Sequence, residues 1–174
     1  MNLFKVDSGM NIIGQGAKIM LLAFPAAVAA IALHVYMPAF ARLAVPPTIL
    51  IPIGICFLIL GLALWATAVV QLLIGFPKGK LVRTGAYGVC RNPIYSSFAL
   101  FILPGISFVT GTWVYLTVSI FLVAAVTIYI HKEEEKLQQV FGAEYEKYLT
   151  TVSRVLPFVR PSNRGKWIRK LQEN

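Results

Sequence analysis

The residues that could do chemistry fall in two short stretches of an otherwise apolar chain. One is GAYGVCRNPIYSSF, residues 85–98, which sets Tyr87, Arg91, Asn92 and Tyr95 at the mouth of a hydrophobic run. The other is HKEEEKLQQVFGAEYEKYLTTVSRVLPF, residues 131–158, with His131, three consecutive acids (Glu133, Glu134, Glu135) and Arg154. Carboxylates accept hydrogen bonds from ribose hydroxyls, tyrosine faces suit an adenine or a cation, and the guanidinium groups of Arg91 and Arg154 can bind the anionic end of a substrate. Each has a plainer use: acids favour the first turn of a helix through the macrodipole, tyrosines collect at membrane interfaces, and arginines anchor to phosphate. His34 has no second ligand at helical spacing, and Cys56 and Cys90 form no CxxC pair. Neither a metal site nor a disulfide framework is expected.

The elements that must position these groups are set by composition. A 174-residue chain with 57% hydrophobic and 13% charged residues and a mean hydropathy of +0.72 is too apolar for a soluble domain of that size. The expected fold is all-α: a polytopic transmembrane helix bundle of four spans, five at most, plus a C-terminal amphipathic helix. Apolar runs of spanning length lie at 19–37, 49–76, 94–111 and 112–130. The second is longer than a bilayer needs, and the last two join as a tight hairpin through Val109-Thr110-Gly111-Thr112. Pro25 and Pro104-Gly105 are expected to kink their helices and open a lateral path for a lipid. The polar, Gly-rich N-terminal residues carry no evident cleavable leader.

Charge orients the bundle. Lys5 and Lys18 precede the first span, Lys78, Lys80, Arg83 and Arg91 fill the loop 77–93, and Lys132, Lys136, Lys147 and Arg154 begin a basic tail. Only Arg42 lies on the other side, so the positive-inside rule puts both termini and the 77–93 loop in the cytoplasm. The net charge of +9 points to anionic lipid headgroups, not nucleic acid, as partners. Asn92 suits an N-cap and Pro93 a first helical turn, so the third span should begin there with free N–H groups facing the loop. Leu137, Val140, Phe141, Tyr145, Tyr148, Leu149 and Val152 recur at spacings of three and four, the pattern of an amphipathic helix lying on the headgroups. The chain divides into N-terminal transmembrane helices (1–76), a catalytic, cofactor-binding region (77–160) and a basic tail (161–174).

Five ordered blocks carry a resemblance. They are Leu81-Val82-Arg83-Thr84-Gly85-Ala86-Tyr87, Arg91-Asn92-Pro93-Ile94-Tyr95, Glu133-Glu134-Glu135-Lys136-Leu137, Phe141 to Tyr148, and Val152-Ser153-Arg154-Val155-Leu156-Pro157-Phe158. In this order they resemble the isoprenylcysteine carboxyl methyltransferases and related phospholipid methyltransferases. The resemblance covers about the C-terminal half of the chain, and the blocks are specific together although each alone is weak.

The resemblance implies an integral membrane enzyme that uses S-adenosylmethionine and releases S-adenosylhomocysteine. Its cofactor positions carry over to Gly79, Lys80, Leu81, Val82, Tyr87, Asn92, Pro93, Ile94, Tyr95 and Glu133, with Gln71 as a further contact. Arg91, Arg154 and Glu134 take the catalytic roles, and Tyr129 and His131 the substrate-binding ones. Two departures matter. The family's usual histidine is Asn92, which can hydrogen-bond but not ionise. Tyr129 stands where carboxyl methyltransferases place a carboxylate-binding arginine, a gap that His131 could fill. The implied reaction is carboxyl O-methylation of an isoprenylcysteine-like lipid acid. An ionised carboxylate needs no base, whereas an amine acceptor must lose a proton. A lipid amine methyltransferase and a non-enzymatic membrane scaffold are the alternatives.

Overall fold

A computed structural model describes residues 16–156. Lys5, the Pro157-Phe158 end of the last sequence block and the tail 161–174 lie outside the described residues.

The apolar runs become helices close to where their lengths put them. They are α1 (Gly16–Tyr36), a short α2 (Pro38–Ala41), α3 (Pro47–Gly75), α4 (Ala86–Val89), α5 (Pro93–Ser97), α6 (Leu103–Thr110), α7 (Val114–Tyr129), α8 (His131–Phe141) and α9 (Ala143–Thr151). One π-helical turn, Phe98–Ile102, joins α5 to α6 into a single span. The protein is all-α, with no strand among the described residues.

Three helices are long and apolar enough to cross a membrane: Lys18–Tyr36, Pro47–Gly75 and Pro93–Thr110. A fourth candidate is α7, whose 16 residues reach only about 24 Å; it qualifies only if counted as one span with α8, from which it is bent by 45°. No fifth candidate occurs among the described residues. The 29 residues of α3 rise about 43 Å, more than a hydrocarbon core, so it tilts or projects. Pro25 lies inside α1, which continues through it. Pro104 follows the π turn in the first turn of α6, where its missing N–H falls at a break in the regular ladder.

The bundle pairs α1 with α7 and α3 with the α5–α6 span. Without a hydrophobic driving force between helices in lipid, such pairs depend on close approach of small residues. Gly54 and Gly61 of α3 and Gly105 of α6 provide it. A Cβ on Gly54 would lie 2.7 Å from a Val109 methyl and 2.9 Å from the Gly105 carbonyl oxygen. Gly54→Leu should therefore force the two helices apart, at a cost of about 3 kcal/mol, read as a lower melting temperature in detergent. An unchanged melting temperature would mean that this seam does not hold the bundle.

At the end of the bundle away from the polar mouth, the α2–α3 connection binds the α6–α7 hairpin. Leu43 N–H donates to Gly111 O (2.7 Å), Trp113 N–H to Ala41 O (3.0 Å), and the Trp113 indole to Phe40 O (3.0 Å). His34 Nδ1 hydrogen-bonds the Tyr115 hydroxyl at 2.8 Å across the α1–α7 seam. His34 thus faces the bundle, as expected of a polar group in an apolar span.

The segment after the last span differs from expectation. One continuous amphipathic helix becomes two, α8 and α9, broken at Gly142 (φ 52°, ψ −127°), a conformation open to glycine and strained for other residues. The break lets α9 fold back onto the 77–93 loop, so Tyr145 and Tyr148 are buried against protein where a headgroup contact was expected.

Candidate functional site

The polar mouth of the third span and the acids after the fourth come together at one end of the bundle. Glu134, buried on the first turn of α8, engages both arginines. Its Oε1 is 3.3 Å from an Arg91 terminal nitrogen and accepts from Arg154 Nε at 3.1 Å, while Oε2 pairs with an Arg154 terminal nitrogen. The side chains of Arg91, Glu134 and Arg154 are only 9%, 11% and 15% exposed. Arg154 also touches both ring nitrogens of His131 at 3.4 Å. The Nε of Arg91 is buried with no hydrogen-bond partner among the described residues, an orphaned donor that ordinarily costs free energy.

The last described segment, Val152 to Leu156, fixes this cluster to the start of the third span. Arg91 N–H donates to Ser153 O (2.8 Å), and Asn92 donates to Arg154 O through both its N–H (3.2 Å) and its side-chain amide (3.1 Å). Ser96 Oγ donates to Val155 O at 2.8 Å. Asn92 stands at the N-cap with Pro93 after it, yet makes no side-chain capping bond. Its amide is spent across 62 residues, tying two segments together in place of capping its own helix. Pro93 is buried in the first turn of α5, and the Ile94 carbonyl accepts from Ser97 Oγ at 2.7 Å.

Glu133 lies beside the tyrosines. Burial first, and the Glu133 carboxylate second, push the Tyr87 phenol well above its ordinary range, so Tyr87 stays a neutral donor at physiological pH. Tyr95 is also within electrostatic reach of Glu133. The Tyr148 hydroxyl donates to Tyr87 O at 2.6 Å and its ring packs against Tyr145, centroids 5.9 Å apart. Burial raises both of these phenols too, and it raises the buried Cys90 thiol, which keeps that thiol an unreactive neutral group.

The loop that carries Gly79, Lys80, Leu81 and Val82 leaves α3 after the short 3₁₀ turn Phe76–Lys78. Gly79 and Lys80 are exposed, and Leu81 and Val82 half-buried. Gln71, on the last turns of α3, accepts from Ala86 N–H at 3.1 Å and lies against Gly85. It therefore shapes the loop that ends at Tyr87. Among the described residues no hydrogen bond or ion pair joins Tyr129 to the charged cluster; it packs against the apolar group that includes Ile130 and Val155. Tyr148, Ser96 and Gly85 are contributors to which sequence reasoning gave no site role, although Tyr148 and Gly85 stand in the motif blocks. For Gly85 the signal was its place between Thr84 and Ala86 in a turn; for Ser96 nothing in the spacing marks it.

A helical membrane protein with a charged, hydrogen-bonded cluster closing one end of its bundle is the class that fold and site define. Residues 75–144 match the model of the phospholipid methyltransferase family, which is the family of integral membrane methyltransferases related to the isoprenylcysteine carboxyl methyltransferases. The matched segment runs from the end of α3 to the start of α9; it contains Tyr87, Arg91, His131, Glu133 and Glu134, and leaves Gln71, Tyr145, Tyr148 and the Arg154 segment outside. No curated protein matches the chain.

Proposed function

We propose that this protein is an S-adenosylmethionine-dependent methyltransferase whose acceptor is a carboxylate on a lipid-like, prenylcysteine-type molecule, with the site facing the cytoplasm. The observation that carries this reading is the convergence of Arg91, Arg154 and Glu134 beside Glu133, Tyr87 and Tyr95. The residues suit the cofactor: an acid for ribose hydroxyls, tyrosine faces and a glycine-containing loop; the unpaired Arg91 Nε beside them is a donor on the acceptor side.

When bound, the sulfonium supplies a methyl group that already carries its leaving group, so the protein's task is alignment. Glu133, Tyr87, Tyr95, Asn92, Pro93, Ile94 and the 79–82 loop would hold the cofactor, with Gln71 supporting that loop from α3. Arg91 and Arg154 would hold the anionic acceptor, their two positive charges exceeding the single negative charge of Glu134. Glu134 becomes a positioning residue: both its oxygens serve guanidinium groups, so it is poorly placed to take a proton. That favours a carboxylate, which has none to lose, over an amine. His131, against Arg154, would line the acceptor side in place of the missing arginine, and Tyr129 would pack beneath it.

A second reading, methylation of a lipid amine, draws on the family's description as phospholipid methyltransferases and on the fit of an arginine pair to a phosphodiester. Titration calorimetry with S-adenosylhomocysteine in detergent, then methyl transfer to a prenylcysteine and to phosphatidylethanolamine, decides between them. We expect cofactor binding that falls at least tenfold in Glu133→Ala, and transfer to the prenylcysteine. Transfer to phosphatidylethanolamine alone selects the amine reading. No binding at all leaves a membrane scaffold.

A further inference from the structure

The family match begins at residue 75, yet one contact to the proposed site comes from the far end of the chain. Gly16 opens α1, and a Cβ built there would lie 2.9 Å from the Tyr95 hydroxyl oxygen, with no other atom of the described residues within 4 Å outside its own helix and neighbours. One turn further on, Ile19 is fully buried in the cluster of Ala99, Val126, Ile130 and Val155, against which Tyr95 also packs. The Tyr95 side chain thus lies between the first turn of α1 and the apolar floor beneath the Arg91–Glu134–Arg154 cluster. Its hydroxyl comes right up to the α1 backbone, so a side chain at residue 16 would have to displace it.

We infer that Gly16 is a positioning residue for Tyr95, so that α1 forms one wall of the cofactor site and sets where the Tyr95 hydroxyl sits. This rests on the proposal that Tyr95 contacts the cofactor. Binding sites tolerate misplacements of only about half an ångström, and relieving a 2.9 Å contact requires a shift of that order. Among the described residues nothing else approaches residue 16 closely enough to need glycine; residue 16 is helical, and alanine favours a helix over glycine. A purely structural role for residue 16 therefore predicts that Gly16→Ala leaves the protein as stable or more so, with unchanged binding.

The test is a double-mutant cycle of Gly16→Ala and Tyr95→Phe on the full chain in detergent, read by S-adenosylhomocysteine calorimetry and by melting temperature. Gly16→Ala should weaken binding about threefold to tenfold without lowering the melting temperature. In the Tyr95→Phe background, where the atom that the new methyl group meets is gone, the same substitution should change affinity less than twofold. Equal losses in both backgrounds, or no loss in either, would overturn the inference while leaving the cofactor assignment standing. If the unsubstituted protein does not bind S-adenosylhomocysteine, the cofactor assignment itself fails and takes this inference with it.

Discussion

Glu134→Gln should abolish S-adenosylhomocysteine binding and lower the melting temperature in detergent by roughly ten degrees. The amide keeps the shape of the carboxylate but removes the one negative charge shared by Arg91 and Arg154. Two guanidinium groups, 9% and 15% exposed, would then face each other with little water to screen them. Breaking a buried pair by neutralising one partner costs about 3–5 kcal/mol, because the charges left behind are uncompensated, and at this chain length each kcal/mol moves the melting temperature by about 2–4 °C. The loss is also one of architecture. Glu134 stands on α8, Arg91 precedes α5, and Arg154 follows α9, so the carboxylate is where three segments meet. Glu134→Asp should keep the charge, shorten the reach and give an intermediate result. If Glu134→Gln melts and binds like the unsubstituted protein, the three charges are solvated independently and the site is not organised around them.

Gly85→Ala is the second large effect, and it should separate the site from the bundle. Gly85 has φ 61° and ψ −126°, a region that costs other residues about 1–3 kcal/mol. An added Cβ would also overlap the Gln71 amide, which accepts the Ala86 N–H that starts α4. The strain falls on the loop leading to Tyr87, while the seams of α1 with α7 and of α3 with α6 are untouched. The expected result is a loss of S-adenosylhomocysteine affinity of at least tenfold with the helical circular dichroism retained. Gln71→Ala in the same chain removes the overlap but not the backbone strain, so it should restore part of the affinity. Full affinity in Gly85→Ala would show that this loop does not touch the cofactor.

Much of this protein is legible in its sequence because membrane crossing is a one-dimensional property. A helix that satisfies its own backbone in lipid needs only length and apolarity. The runs at 19–37, 49–76 and 94–111 accordingly appear as α1, α3 and the α5–α6 span with ends shifted by one to three residues. The methyltransferase signature was legible for a related reason, since the blocks from Leu81 to Phe158 keep their order along the chain, and the first three fall within the matched residues 75–144.

What the tertiary structure decided is where the polar side chains spend their hydrogen bonds and charges. Asn92 reads as a local cap, but its amide reaches Arg154 O, and no spacing rule connects positions so far apart. Tyr145 and Tyr148 read as membrane-facing on one continuous helix; the turn at Gly142 redirects them inward, with Tyr148 bonded to the Tyr87 carbonyl and Tyr145 packed on Tyr148. Glu134 and Glu133 are adjacent in sequence and equivalent by composition. Packing alone gives the first to two arginines and sets the second beside the tyrosines. Periodicity encodes which face of a helix is apolar. The partner of a charge depends on how separate helices dock, and that is settled by long-range contacts such as the glycine seam of α3 and the return of α9, which no local pattern records.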